Sequence, residues 1–268
     1  MIVQISTPRL ELWRIEGAFF NQPHTHDHEV QITVPIRGAC QFTQESKHYK
    51  LVDGGGLVQH PRDRHFFEIG VQAGVLVFKI NQNSLKELTR VEDVEFAPRQ
   101  QFDPAFLSGK FRKWTNALLA SDPSDRLAQE ETESQVLAYL CGALSGNHRS
   151  RYDAAALSSV PGIDPYMGKV LDYIHANYAG EIQVDSLAAI ALQSRFHFIR
   201  VFKAAMGETP YQYVLRLRMD EAKRKLRGTE MSVADIGFSV GFSSVSPFYR
   251  AFVKAVGVTP EQFRNSCR

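Results

Sequence analysis

Over seventeen consecutive positions of this 268-residue chain, one pattern returns in unbroken register fifty residues later, with eight of the seventeen residues identical. S-R-F-H-F-I-R-V-F-K-A-A-M-G-E-T-P, from Ser194 to Pro210, aligns with S-V-S-P-F-Y-R-A-F-V-K-A-V-G-V-T-P, from Ser244 to Pro260. A match this long exceeds what one amphipathic helix pattern imposes, so the same local unit is expected twice. Ser194 and Ser244 are suited to accept hydrogen bonds from free amides at a helix start. Phe198 and Phe202, and likewise Phe248 and Phe252, lie four apart and bury one helical stripe. Gly207 and Gly257 then end the helices. Thr209-Pro210 with Gln212, and Thr259-Pro260 with Gln262, read as capping boxes with proline in the first turn.

Upstream of the second copy, Ser232 and Asp235 form another helix-start signature, and Gly241 supplies a short turn before the helix near Ser244. Two helices joined so tightly are the form of a helix-turn-helix, whose second helix fits a major groove. From pattern alone, a pair of helical hairpins that binds protein stays open. Further upstream, Val170, Ile174 and Tyr178 mark one helix face with Gly180 as its stop, and a short helix after Asp185 carries Leu187, Ile190 and Ala191. Between the copies, Leu215, Met219, Ala222 and Leu226 are spaced to pack inward. Arg216, Arg218, Lys223, Arg224 and Lys225 are expected to form a basic exterior, near phosphates or simply solvated. The whole chain carries a formal charge of +2, but from Tyr166 onward 14 Lys and Arg stand against 9 Asp and Glu. That local bias suits phosphate contacts.

The segment D-I-G-F-S-V-G-F-S-S-V-S-P-F-Y-R-A-F-V-K-A-V-G-V-T-P-E-Q-F-R, from Asp235 to Arg264, closely resembles the AraC/XylS family of bacterial transcription regulators, and the resemblance extends over about Tyr166 to Arg264. It implies two helix-turn-helix units joined by a long helix, each addressing a neighbouring major-groove segment. The family's groove-facing positions correspond to Arg195, Phe196, Ile199 and Arg200 in the first unit, and to Val245, Ser246, Pro247, Tyr249 and Arg250 in the second. Arg200 and Arg250 stand out because a guanidinium contacts either phosphate or guanine. Leu192 departs from the glycine usual at the first turn, and Gly237 from the alanine usual in the second unit. With Phe196 and Ile199 apolar, the second unit is expected to discriminate sequence and the first mainly to position the protein.

The first hundred residues read differently. Val30, Ile32 and Val34 alternate with Gln31 and Thr33, a half-buried strand pattern, and Asp53 to Gly56 is a turn signal between further apolar runs. Short antiparallel strands forming a sandwich or small barrel are expected. Asp103 to Ala120 and Arg126 to Leu144 then read as helices, the second with Leu127, Val136, Leu137, Leu140 and Leu144 along one side. A polar, turn-rich linker follows, with a boundary near Pro161. The resulting expectation is an α+β chain: 1–100 an effector-binding domain, 101–160 a helical dimerisation or linker region, and 161–268 an all-α double helix-turn-helix domain.

His24, His26 and Glu29 fall in H-T-H-D-H-E just before the alternating strand, and His65 lies beyond the glycine turn. Imidazole and carboxylate together suit Zn, Fe, Mn or Ni. The spacing from Gly17 to Glu29 resembles the first cupin motif, and Gly55 to His65 the second more loosely. The resemblance implies a cupin-like domain with His24, His26, Glu29 and His65 around an effector or metal pocket, without an obligatory cofactor. Arg62 and Arg64 near the rim suit an anionic ligand, whereas Phe66 and Phe78 suit an apolar one. No apolar run approaches a membrane span, no signal peptide opens the chain, and Cys40, Cys141 and Cys267 form no framework, so a cytoplasmic protein is expected.

These features point to an effector-responsive transcription activator, not an enzyme. Its implied partners are promoter double-stranded DNA, an unidentified small-molecule effector, RNA polymerase and a second copy in a homodimer. The competing expectation is a metal-dependent cupin enzyme with an appended helical interaction domain.

Overall fold

The computed structural model describes residues 1–92, 94–144 and 165–267, so the expected linker and its boundary near Pro161 lie outside the described residues. The chain divides into two compact units, Met1–Thr115 with Gln135–Ser158, and Asn116–Ser134 with Ser159–Arg268.

Among the described residues the first unit has ten strands: β1 (Ile2–Ser6), β2 (Leu10–Glu16), β3 (Phe19–Phe20), β4 (Glu29–Arg37), β5 (Cys40–Gln44), β6 (Lys47–Leu51), β7 (Gly55–Gln59), β8 (His65–Ile69), β9 (Gly74–Asn81) and β10 (Arg99–Gln101). They form a six-stranded sheet in the order β1-β2-β9-β4-β7-β10 and a four-stranded sheet in the order β3-β8-β5-β6. All named pairings are antiparallel.

This arrangement corrects the cupin-like expectation. Both sheets are open: β1 pairs only with β2, β10 only with β7, β3 only with β8 and β6 only with β5. Among the described residues no ladder of strand hydrogen bonds joins the two sheets, so no barrel closes and the cupin-like domain read from the histidine spacing is not formed. An alternating pattern fixes which face of a strand is buried, but it carries no information about whether the outermost strands find each other. The two sheets share an apolar core that includes Ile15, Phe42, Leu57, Phe67 and Val75. The α+β class itself holds, as two open antiparallel sheets followed by a helical bundle.

Helix α1 (Gln82–Thr89) follows β9 and is capped by Asn81, whose side chain accepts from the Asn83 amide. Helices α2 (Pro104–Ala120) and α3 (Arg126–Leu144) match the two expected helical stretches. Phe111 and Trp114 of α2 meet Phe78 edge-on, while Val136, Leu137, Leu140 and Leu144 of α3 are buried as their spacing requires.

The second unit contains α4 (Pro165–Asn177), α5 (Val184–Ile190), α6 (Arg195–Met206), α7 (Pro210–Gly228), α8 (Val233–Ser239), α9 (Val245–Val256) and α10 (Pro260–Ser266). One core gathers Val170, Ile174, Leu187, Phe198, Phe202 and Leu127. A second gathers Met219, Ala222, Leu226, Ile236, Phe248 and Phe252. Helix α7 contributes to both, through Tyr213 and Val214 at one end and Leu226 at the other, so one rigid element carries the two repeated units. Among the described residues, no helix is long and apolar enough to cross a membrane.

Candidate functional site

Each repeated unit is a pair of helices around a tight turn. In the first, α5 is followed by Leu192 in the left-handed region at φ 54° and then by α6. In the second, Gly241 at φ 97° takes the same place between α8 and α9. The turns close alike, with Gln193 N donating to Ala188 O and Phe242 N to Gly237 O. Four residues separate α5 from α6 and five separate α8 from α9, so the fifty-residue register of the second helices becomes forty-nine for the first. Gly237 therefore matches the buried Ala188, and a Cβ there would stand 3.0 Å from the Phe248 ring. At Gly241 there is no room for a side chain, since a Cβ would lie 2.7 Å from the Ala179 carbonyl oxygen.

The ends of the second helices follow the sequence only in part. Gly207 and Gly257 terminate α6 and α9 at φ 76° and 87°. Both threonine capping boxes are complete, with Thr209 and Thr259 accepting from the Gln212 and Gln262 amides. Ser194 and Ser244 sit at the helix starts, but neither side chain makes the expected capping bond.

The groove-facing candidates fall into different environments. Arg200 and Arg250 are exposed fifty residues apart, with Arg200 donating to His197 Nδ1 at 3.1 Å and Arg250 to the Ala120 carbonyl at 3.3 Å. Ser246 is exposed, whereas Phe196 and Val245 are half-buried. Ile199 and Tyr249 are half-buried against the two cores, and Pro247 is buried. Arg195 is 5% exposed and pinned by carboxylates: Nε lies 2.7 Å from Asp185, while Glu130 and Glu133 stand 3.3 and 3.7 Å away.

Helix α7 also departs from its expected basic exterior. Arg218 points inward, donating to the Tyr178 and Gly180 carbonyls at 2.7 and 3.1 Å and to Asp125 at 2.8 Å. It closes the loop between α4 and α5, an acceptor-rich site that only the tertiary fold assembles. Arg216, Lys223 and Arg224 pair with Glu208, Asp220 and Glu221. Lys225 donates to Ser239.

In the first unit, the structure gathers His24, His26 and His65, with one ligand nitrogen from each lying within 4.8 Å of the others. An isolated β-bridge between His24 and His65 places two of the rings together, and ring centroids are 4.5 to 5.3 Å apart. Three imidazoles bound to one ion at about 2.1 Å would have centroids roughly 4.5 to 5.2 Å apart for angles between about 90° and 110°. The remaining nitrogens are oriented from behind: His24 Nδ1 lies 2.8 Å from Gln22 O, His65 Nδ1 2.8 Å from Asp63 O, and His26 Nε2 3.2 Å from Gln31 Oε1. Such partners fix the ring and leave the opposite nitrogen for a ligand.

His65 Nε2 is buried without a hydrogen-bond partner, and burial lowers both His65 and His26 to about 4, so both rings are neutral near pH 7. Glu29 joins the cluster's edge, its carboxylate 3.4 Å from His26 Nδ1. His60 is turned away toward the Phe96 backbone and, with Arg62, lines a cleft of about 700 Å³. Phe78 packs under α2 and is fully buried, so it is not available to an effector.

Residues 187–266 match the family described as a helix-turn-helix domain. Over nearly its whole length the chain is similar to the probable transcriptional regulator LumQ of Photobacterium leiognathi, at 25% identity over 262 residues covering 98% of each chain. It is also similar to the MmsAB operon regulatory protein of Pseudomonas aeruginosa, at 34% identity over 96 residues, 36% of this chain and 31% of that protein. Among solved structures, a transcriptional regulator from Chromobacterium violaceum described by AraC-type DNA-binding domains is 29% identical, covering 38% of this chain and 92% of its own, with a TM-score of 0.36.

Proposed function

We infer that this chain is a helix-turn-helix regulator of transcription that binds promoter DNA and is not an enzyme. The observation that carries the reading is the pair of equivalent helix-turn-helix units on one α7 helix, each presenting an exposed arginine, Arg200 or Arg250, at the same repeat position. The matched helix-turn-helix family supports it, as does the resemblance of the C-terminal hundred residues to AraC/XylS regulators.

In the finer reading, the regulator acts as an effector-responsive activator. It binds as a homodimer near RNA polymerase, with 1–100 as sensor, 101–160 as dimerisation region and 161–268 as DNA-binding domain. Arg250 and its neighbours Val245, Ser246 and Tyr249 supply most of the sequence discrimination, and the α6 face with Phe196, Ile199 and Arg200 mainly positions the protein. Selection from a random duplex pool with the full chain tests this. One sequence class is expected to emerge. Arg250→Ala should lose about 1–3 kcal/mol of binding to it and relax preference at one or two bases, the range for a lost base-edge contact. Binding that is equal for all duplexes and insensitive to salt would overturn the reading.

The histidine cluster is the sensor's candidate ligand site, and the orphaned His65 Nε2 is the observation that favours a metal there. His24, His26 and His65 would hold a divalent transition metal, with Glu29 beside them, and the ion would join the segment before β4 to the start of β8. Titration with Zn²⁺, Ni²⁺ or Mn²⁺ should show one site per chain, lost in His65→Gln with the fold intact. No uptake of any of these ions would remove the metal and leave an organic effector.

A further inference from the structure

The end of α2, the connector to α3 and the first turns of α3 belong to the same unit as both helix-turn-helix pairs. Between Asn116 and Ser134 they carry five carboxylates against a single arginine. Two residues of this stretch meet the second reading helix. Asp122 accepts from the Ser243 amide at 2.7 Å and from the Ser243 hydroxyl, immediately before α9 begins. The Ala120 carbonyl receives the Arg250 guanidinium at 3.3 Å. Further along, Glu130 and Glu133 hold Arg195 at the start of α6, and Glu130 accepts from the Val184 amide at 2.6 Å.

The stretch is anchored between these contacts. Leu127 is 1% exposed within the unit's core, and Asp125 pairs with buried Arg218 at 2.8 Å. Asp122 is itself 5% exposed and also accepts from the Ser124 amide and hydroxyl, so releasing the Ala120–Asp122 end costs these bonds and those to Ser243 but leaves the Leu127 and Asp125 anchors in place. Its chemistry matters as much as its position. An amide at the entrance of a reading helix is a group with which such proteins hold DNA phosphates, and a guanidinium on its exposed side one with which they reach a phosphate or a base edge. Here a carboxylate and a carbonyl oxygen already occupy them.

We propose that the Ala120–Asp122 end of this acidic connector is an internal competitor of DNA. It plugs the entrance of α9, ties down Arg250 and must swing away before the second unit seats on a duplex. The inference rests on the DNA-binding reading above. Asp125, Glu130 and Glu133 brace Arg218 and Arg195, whereas the Ala120–Asp122 end meets Ser243 and Arg250 at the second reading helix. Both ends of the connector continue as α2 and α3 into residues of the sheet-bearing unit, which gives a ligand event there a covalent route to the plug.

The test uses the full chain and a duplex selected by it from a random pool. Asp122→Ala should tighten binding by about tenfold, with an unchanged or lower melting temperature. Asp172→Ala, which removes one exposed charge from α4, should change binding less than about twofold and controls for net charge. Hydrogen exchange on the wild-type chain gives a second readout: the duplex should speed exchange of the 121–125 amides while slowing that of α9. Unchanged or weaker binding by Asp122→Ala, or added protection at 121–125 on the duplex, overturns the plug and leaves DNA binding intact. Failure of every form to select any duplex would instead bring down the DNA-binding reading, and the plug with it.

Discussion

His65 is held by two opposing features. Its Nδ1 is satisfied by the Asp63 carbonyl, while its Nε2 is buried with nothing to bond. Burial makes the imidazolium costly, so His65 and His26 stay neutral down to about 4 in the folded chain, whereas a histidine in the unfolded chain takes its proton near 6.5. A lowered folded value means that the unfolded state binds protons first. The stabilisation is full above about 6.5 and is lost as the pH falls from there toward 4. In the presence of chelator, the melting temperature of the wild-type chain should fall through this window, and His65→Gln should fall less steeply. Equal slopes would show that His65 does not titrate as its burial requires. The sequence spacing named His24, His26, Glu29 and His65 together, because alternate residues share one side of an extended segment. What spacing does not record is the β-bridge that pairs His65 with His24 and so brings the chosen residues together.

At the level of elements, the two turns show how far a repeated pattern determines its own geometry. Gly241 has the backbone freedom its left-handed conformation demands, whereas Leu192 holds φ 54° with a Cβ and is 72% exposed. For a residue other than glycine that conformation costs about 1–2 kcal/mol, partly offset in any replacement by the extra freedom glycine gains when unfolded. Leu192→Gly should therefore raise stability by about 0.5–1 kcal/mol in urea unfolding. A loss would mean that the leucine makes a compensating contact. Glycine stops and threonine boxes were legible because each needs only residues a few positions apart. The Ser194 and Ser244 caps failed because spacing sets reach, while the turn sets the direction of the side chain. Arg218 was assigned to the surface for a related reason: its acceptors at Tyr178, Gly180 and Asp125 are remote in sequence. The open sheets were illegible too, since closure is decided by edge strands whose pairing no single strand's pattern records.

On the scale of the whole molecule, the C-terminal helices, their repeat and their tight turns were readable as a continuous string, but the unit they form is not continuous. Residues 116–134 fold with it, joined by hydrogen bonds that span 54 positions at Glu130 and 121 at Asp122. No linear pattern announces partners that distant. Leu127, read as part of one stripe along α3, is buried in the same core as Val170 and Phe198. A fragment begun at Pro165 would therefore carry every residue of the repeat yet lack a side chain of its own interior, two of the three carboxylates around Arg195 and the carboxylate paired with Arg218. Such a fragment would be a different object from the unit within the full chain, with a gap where Leu127 packs and with Arg195 and Arg218 each short of carboxylates that hold them in the full chain. Any affinity measured on it would describe a regulator from which the means of restraint had already been cut away.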